Sequence, residues 1–231
     1  MYEQPTLKSG TVYEVGSGTN RALFHFRRTV EHSNSLVLVT REFTSPEGTP
    51  VAREKMVYSG NHLLSLELEE LQIEAKAMVN VRRSLPDREA GELAFSYATG
   101  TGTKTRKKEA TESLRPDTLA NDMIAPFIAA HWQDLMAGKT VKFRYIAAAR
   151  AETVGFEFEK VAESTRNGQP VARIKMSPSS YLIAALVDPL YFIVEKRSPH
   201  RVLEYTGRTV PKLQSAGKWR DLDALTVFHW E

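Results

Sequence analysis

The chain has 231 residues, 42% of them hydrophobic and 26% charged, and its net charge is only +3 although its pI is near 9.0. Such values describe a globular chain, exclude a disordered one, and create no electrostatic demand for nucleic acid or an anionic membrane. There are no cysteines, which excludes disulfides, zinc–thiolate sites and cysteine nucleophiles.

The first half reads as a succession of strands. Thr11 to Val15 is a short one, broken by Gly16-Ser17-Gly18. Arg21 to Glu31 partly alternates, with Leu23 and His25 opposed to Phe24 and Phe26. Ser35 to Thr44, then Val51 to Tyr58 after the turn SPEGTP, continue the pattern. His62 to Ile73 sets Leu64, Leu66 and Leu68 against Ser65, Glu67 and Glu69, and its register slips at Glu70-Leu71 as at a bulge, a strand end or a short helix. Ala77 to Arg83 and Glu92 to Ala98 form a further pair. Thr99 to Glu112, rich in Gly, Thr and Lys without a large apolar residue, reads as an exposed hairpin tip or loop.

Asn121 to Gly138 is the one long helical segment. Met123, Ile124, Phe127, Ile128, His131, Trp132, Leu135 and Met136 fall on one broad face, and Asp122, Ala125, Ala129 and Gln133 fall on the other. Gly138 is the expected C-cap, and Pro126 blurs the N-terminal boundary. Strands resume at Lys139 to Ile146, Thr153 to Ala162 and Val171 to Met176, with a hairpin turn at Arg166-Asn167-Gly168-Gln169. Ser177 to Ser180 reads as the N-terminus of a short helix, YLIAALVD, which Pro189 stops. Leu190 to Lys196 and Arg201 to Thr206 are two strands, Gly207-Arg208 ends that unit, and Leu225 to Trp230 is the last strand.

One apolar helix among many strands implies a mainly β single domain, residues 1–231: a strongly curved antiparallel sheet or incomplete β-barrel wrapped around one central helix.

No chemistry-bearing motif accompanies this architecture. The six histidines, His25, His32, His62, His131, His200 and His229, show no metal-ligand spacing. Glu67 and Glu69 share a strand face and read as solvated carboxylates. Neither Gly16-Ser17-Gly18 nor Gly100-Thr101-Gly102 is a phosphate loop, and there is no GxSxG elbow. The basic run Lys104, Arg106, Lys107 and Lys108 lacks interleaved aromatics, so no nucleic-acid partner is expected. The sequence therefore predicts a non-enzyme with no catalytic residues, no metal and no cofactor.

From Ala125 to Arg208 the order of features resembles a group of bacterial exported proteins of unknown function. HWQDLMAGKTVKFRY carries the helix, the glycine and the entering strand, and GQPVARIKMSPSSYLIAALVDPLYFIVEKRSPHRVLEYTGR carries a strand, a short helix, two closing strands and a terminal Y-x-G-R. That group is similar in fold to the periplasmic lipoprotein-localisation carriers, in which an unclosed barrel covers helices with an apolar cavity between. The resemblance implies a periplasmic protein whose signal peptide has been removed, although MYEQPTLKSG has no hydrophobic h-region, and no stretch approaches the roughly 18 apolar residues of a membrane span.

The function expected on that basis is non-enzymatic carriage or binding of an apolar or amphiphilic ligand, a lipid or a lipoprotein acyl chain, with peripheral envelope association. Phe127, Ile128 and Trp132 would line the cavity, and Tyr181, Leu182, Leu186 and Tyr191 would form its mouth. Core packing competes for the same residues. The alternative is a structural or protein-interaction module without a small ligand, recognisable by a long unpaired strand edge or an apolar surface patch.

Overall fold

The computed structural model describes residues 2, 6–83, 91–100, 105–180 and 188–231. Eight strands come first: β1 (Leu7–Glu14), β2 (Ala22–Ser33), β3 (Leu36–Thr44), β4 (Pro50–Ser59), β5 (His62–Glu70), β6 (Ala75–Arg83), β7 (Gly91–Thr99) and β8 (Arg106–Leu114). The two-residue β9 (Thr118–Leu119) leads into the helices α1 (Ile124–Ala130) and α2 (Trp132–Met136). Then follow β10 (Val141–Ala147), β11 (Glu152–Arg166), β12 (Gln169–Pro178), β13 (Leu190–Glu195), β14 (Val202–Ser215) and β15 (Lys218–Trp230).

Among the described residues these 15 strands form one sheet, ordered β8 to β1, then β15 down to β9. The first and last strands are neighbours in its middle, and its two edges are β8 and β9. All pairs are antiparallel except β9–β10, where Arg144 faces Thr118 and Tyr145 faces Leu119. Side chains tie the β8 edge to the other end of the sheet, at the turn into β11: Glu112 on β8 accepts from the Thr153 backbone N–H at 3.0 Å and from its hydroxyl at 2.5 Å, and Lys108 Nζ donates to the Arg150 carbonyl at 2.5 Å. The result is a nearly closed barrel with a stitched seam.

The concave face follows from alternation. Val39, Met56, Leu66, Val79 and Phe95 stand opposite one another across five consecutive strands, and all are at most 3% exposed. Each such side chain contributes about 1.5–3 kcal/mol by leaving water. The opposing wall supplies Phe143, Phe156, Phe158, Ile174 and Phe192, and the helices lie between the two walls within the same core cluster. A smaller core around Val12, Phe24, Phe26, Val51 and Leu222 fills one region of the barrel beside it.

The predicted central helix is present but is not one continuous element from Asn121 to Gly138. Asn121–Met123 is a 3-10 turn, and His131, at φ −100° and ψ 18°, separates α1 from α2. The bend keeps Phe127 and Ile128 on one side of it, and Trp132 and Leu135 on the other, all buried against a curved wall. Gly138 closes α2 as expected. It adopts φ +78°, its N–H bonds the Leu135 carbonyl at 3.0 Å, and the Lys139 N–H bonds the Asp134 carbonyl at 2.9 Å, the paired bonds of a Schellman cap.

Two other expectations change, and a third lies outside the described residues. The second part of Thr99–Glu112, expected as an exposed tip or loop, is strand β8, paired with β7 over its whole length. Its four N-terminal residues are all exposed, so no apolar alternation betrays it. β14 does not stop at Gly207-Arg208, and β15 starts at Lys218 rather than Leu225. The extra residues form a two-stranded arm beyond the main core, where the solvated face removes the hydrophobic period. The expected helix after Ser180 falls on residues 181–187, outside the described residues.

Candidate functional site

The residues expected to bind an apolar ligand separate into three groups. Phe127, Ile128 and Trp132 are 4%, 0% and 6% exposed, on the inner side of the barrel. Phe127 packs on Phe143 at 5.6 Å and on Phe158 at 6.4 Å between ring centroids, while Trp132 stacks on His200 at 4.1 Å. Tyr191 lies on the opposite face of β13 from the buried Phe192 and is covered by the Arg173 guanidinium 3.9 Å from its ring centre. Tyr181 and Leu186 lie outside the described residues. The structure thus brings Phe127, Ile128 and Trp132 into one packed interior and leaves Tyr191 away from it.

His131 is half-exposed, with its ring 4.4 Å from that of Phe127 and Nδ1 4.0 Å from the Asp134 carboxylate. No group of three or more His, Asp or Glu among the described residues is arranged to hold a metal ion. On the outer face of β6–β8, Asn80, Ala94, Ser96 and Thr111 line a solvent-open hollow of about 390 Å³.

The most distinctive polar feature is a buried charge network that the hydrophobic pattern did not announce. Arg28, Arg41 and Glu54 stand directly opposite one another on β2, β3 and β4, on the apolar face. Two arginines facing each other across a strand pair repel. Asp122, from the 3-10 turn before α1, enters between them. Its carboxylate takes two bonds from Arg28, at 2.8 and 3.1 Å, and one from Arg41 at 3.4 Å. Glu54 lies 3.6 Å from Arg41 and accepts from the Asn121 amide at 3.3 and 3.2 Å. The Arg28 and Asp122 side chains are 0% exposed. Arg41 Nε has no hydrogen-bond partner among the described residues, and its guanidinium lies 5.1 Å from the Phe26 ring centre. Burial pushes the Glu54 carboxyl above its ordinary range, against the pull of Arg41 and Asn121. Burial likewise raises the neighbouring Tyr58 hydroxyl.

The network ties the entry of the helical segment to the first half of the sheet. Sequence reasoning placed Asp122 on the polar side of the helix, whereas it is 1% exposed. A signal was available: Arg28 continues the series Phe24, Phe26; Arg41 interrupts Val37, Val39, Phe43; and Glu54 interrupts Ala52, Met56, Tyr58. Charges in phase with an apolar stripe announce either a buried pair or a broken strand.

A second feature is the end of the barrel reached by the C-terminal ends of β1, β3, β5 and β14. Val15, Leu71, Leu213 and Trp219 are there, 52%, 44%, 38% and 40% exposed. Leu213 and Trp219 belong to the arm formed by β14 and β15, which is closed by Ala216 and Gly217 at φ 50° and 73° as a two-residue turn between Ser215 and Lys218. The arm is anchored firmly. The Gln72 side chain, next to Leu71, makes reciprocal bonds with the Lys212 backbone at 2.7 and 2.9 Å, and Arg208 holds Asp221 at 2.7 Å and Asp223 at 2.9 Å.

No family model matches the chain, and no curated protein matches it. Among solved structures, the chain is similar to the crystal structure of a β-barrel-like protein of the domain of unknown function DUF1849 from Brucella abortus. Identity is 9% and the TM-score 0.42, over 99% of this chain and 97% of that one.

Proposed function

We propose that this protein is a non-enzymatic binding module of the bacterial envelope, which meets an amphiphilic partner on the outside of its barrel. The observation that carries the reading is the end where Val15, Leu71, Leu213 and Trp219 are exposed, the last two on an arm tied to the barrel by the Gln72–Lys212 bonds. Large apolar side chains gathered at one end of a molecule mark a contact surface. Enclosed carriage of a lipid or lipoprotein acyl chain draws less support, because Phe127, Ile128 and Trp132 are spent on packing the two walls together. A chain held between those walls would have to displace α1 and separate Asp122 from Arg28. Strand addition by a partner protein at the β8 edge also draws less support. That edge carries Arg106, Lys107, Lys108, Glu109 and Glu112, and it is stitched to β11 through Glu112. The placement in the envelope rests on the resemblance carried by residues 125–208.

The test is native mass spectrometry of purified, delipidated protein titrated with a lysophospholipid and with a natural lipid extract. Adducts that saturate and then dissociate on dilution are expected for an outer surface. Lipid that copurifies and survives delipidation would overturn outer binding in favour of enclosed carriage. A complete absence of adducts with either preparation would overturn the amphiphile reading itself.

A further inference from the structure

The β14–β15 arm gives the proposed partner a definite form. Lys212 is already engaged, by Glu70 at 3.0 Å and by Asp221 at 2.8 Å. Beyond it, from Leu213 to Arg220, the arm contains two cations, Lys218 and Arg220, and no acid. Neither has an ion-pair partner among the described residues, and both are exposed. They flank Trp219. Cross-strand pairing puts Trp219 beside Gln214 and Leu213 beside Arg220, on opposite faces of the arm. Lys218, paired with Ser215, shares the face of Leu213 and Arg220, so one face of the tip joins an aliphatic side chain to both cations and the other carries Trp219. Leu71, one residue from the anchoring Gln72, extends the apolar surface to the base of the arm.

We infer that this arm docks the protein onto an anionic lipid bilayer, with Trp219 and Leu213 entering the headgroup–acyl boundary and Lys218 and Arg220 pairing with lipid phosphates. The inference rests on the amphiphile reading above and names its partner. Three features favour a bilayer over a polyanion. Trp is the residue best suited to the membrane interface, apolar in its body and polar at its N–H. The other exposed side chains, Leu213, Leu71 and Val15, are aliphatic, which suits acyl chains and gives nucleic acid bases no stacking platform. The arm is a protruding hairpin, a shape that enters a soft surface and does not cradle a strand. Two cations give weak, salt-sensitive attraction, so attachment is reversible and peripheral.

The experiment is vesicle flotation of the intact protein, comparing phosphatidylcholine vesicles with vesicles containing phosphatidylglycerol. Wild type should float with the anionic vesicles at low salt and be released by high salt. The double variant Lys218→Glu/Arg220→Glu should lose about tenfold or more of its bound fraction, and Trp219→Ser should also reduce flotation. Trp219→Phe should still float but lose the lipid-induced blue shift of tryptophan fluorescence, since Trp132 is buried and Trp230 is partly buried with its ring N–H bonded to the Val202 carbonyl. All these positions are exposed, so urea midpoints should match wild type and separate a docking defect from misfolding. Equal flotation of wild type and the double variant would overturn the inference, as would tighter binding to single-stranded DNA or heparin than to vesicles. Lysophospholipid adducts without any vesicle binding would overturn the docking arm and leave the amphiphile reading standing.

Discussion

Replacing Asp122 by Asn would remove one charge from a buried set of two arginines and two carboxylates. The Arg28 and Asp122 side chains have no solvent exposure, and their closest atoms are 2.8 Å apart. At an effective dielectric of about 20, that separation corresponds to about 6 kcal/mol of attraction, most of which only repays the desolvation of the two ions. The variant would keep the desolvated guanidinium of Arg28 and lose its counter-charge. It would also leave Arg28 directly opposite Arg41 with no carboxylate between them. Breaking a buried pair in this way costs about 3–5 kcal/mol, against a total domain stability of about 5–15 kcal/mol. With a urea m-value near 3 kcal/mol/M, the midpoint should fall by about 1–2 M. Tryptophan fluorescence and circular dichroism during urea unfolding would measure it. The double variant Arg28→Met/Asp122→Leu, which removes both charges and fills the space, should recover most of the loss. An unchanged midpoint for Asp122→Asn, or a double variant no better than the single one, would refute the claim that this network is desolvated and holds the helical segment in the barrel.

Trp132→Ala should cost about 3–5 kcal/mol through lost transfer energy and a residual cavity beneath His200, while the exposed Lys107→Ala should stay within about half a kcal/mol of wild type; a wild-type urea midpoint for Trp132→Ala would make the helix peripheral. Burial raises the Glu54 carboxyl above its unfolded value, so its contribution to stability is greatest below the ordinary carboxylate range and is lost as pH rises through the raised value. The urea midpoint of wild type should therefore fall relative to that of Glu54→Gln between about pH 4 and about pH 7, and a difference that grows in the opposite direction would show that Arg41 and Asn121 outweigh burial. Glu163 behaves oppositely: bonds from Lys160 and Lys196 hold its carboxyl down to about 2, so that its contribution is present above 4.5 and is lost as pH falls toward the lower value. Carbon-13 titration of that carboxyl should give a midpoint of about 2, and Lys196→Met should raise it; an unchanged midpoint in the variant would remove Lys196 as a cause.

Alternation made the walls of the barrel legible. Leu66 and Leu68, or Phe143 and Phe156, point inward because a period of two lets a strand bury one face only. The helix was legible through its broad apolar face, but its break at His131 was not, since the bend answers the curvature of a wall assembled from distant strands. β8 and the arm escaped notice for a related reason. Arg106–Glu109 and Leu213–Arg220 are exposed, and a strand bathed in solvent on both faces has no hydrophobic period to display. The placement of Phe127, Ile128 and Trp132 on one buried face could be read from spacing. Whether such a face encloses a void or fills it depends on Phe143, Phe158 and His200, whose proximity is a property of the fold. The charge network was visible in part, as three charges in phase with apolar stripes, but its fourth member lies between 68 and 94 residues away along the chain.

The pairing of β1 with β15 gives the sheet a ring-like connectivity. Leu7 faces Trp230, and the Glu231 N–H bonds the Thr6 carbonyl at 3.0 Å. A strand that waits for a partner more than 200 residues downstream cannot complete its ladder until that partner has been made, so closure of this sheet comes after the other strands are available, and β1 must stay unpaired on that side until synthesis reaches β15. The same geometry makes the order of synthesis negotiable. A short linker across the β1–β15 junction, with new ends opened between β8 and β9 where the sheet already has its edges, would turn the eight strands β1–β8 into the last ones made while leaving every strand neighbour unchanged.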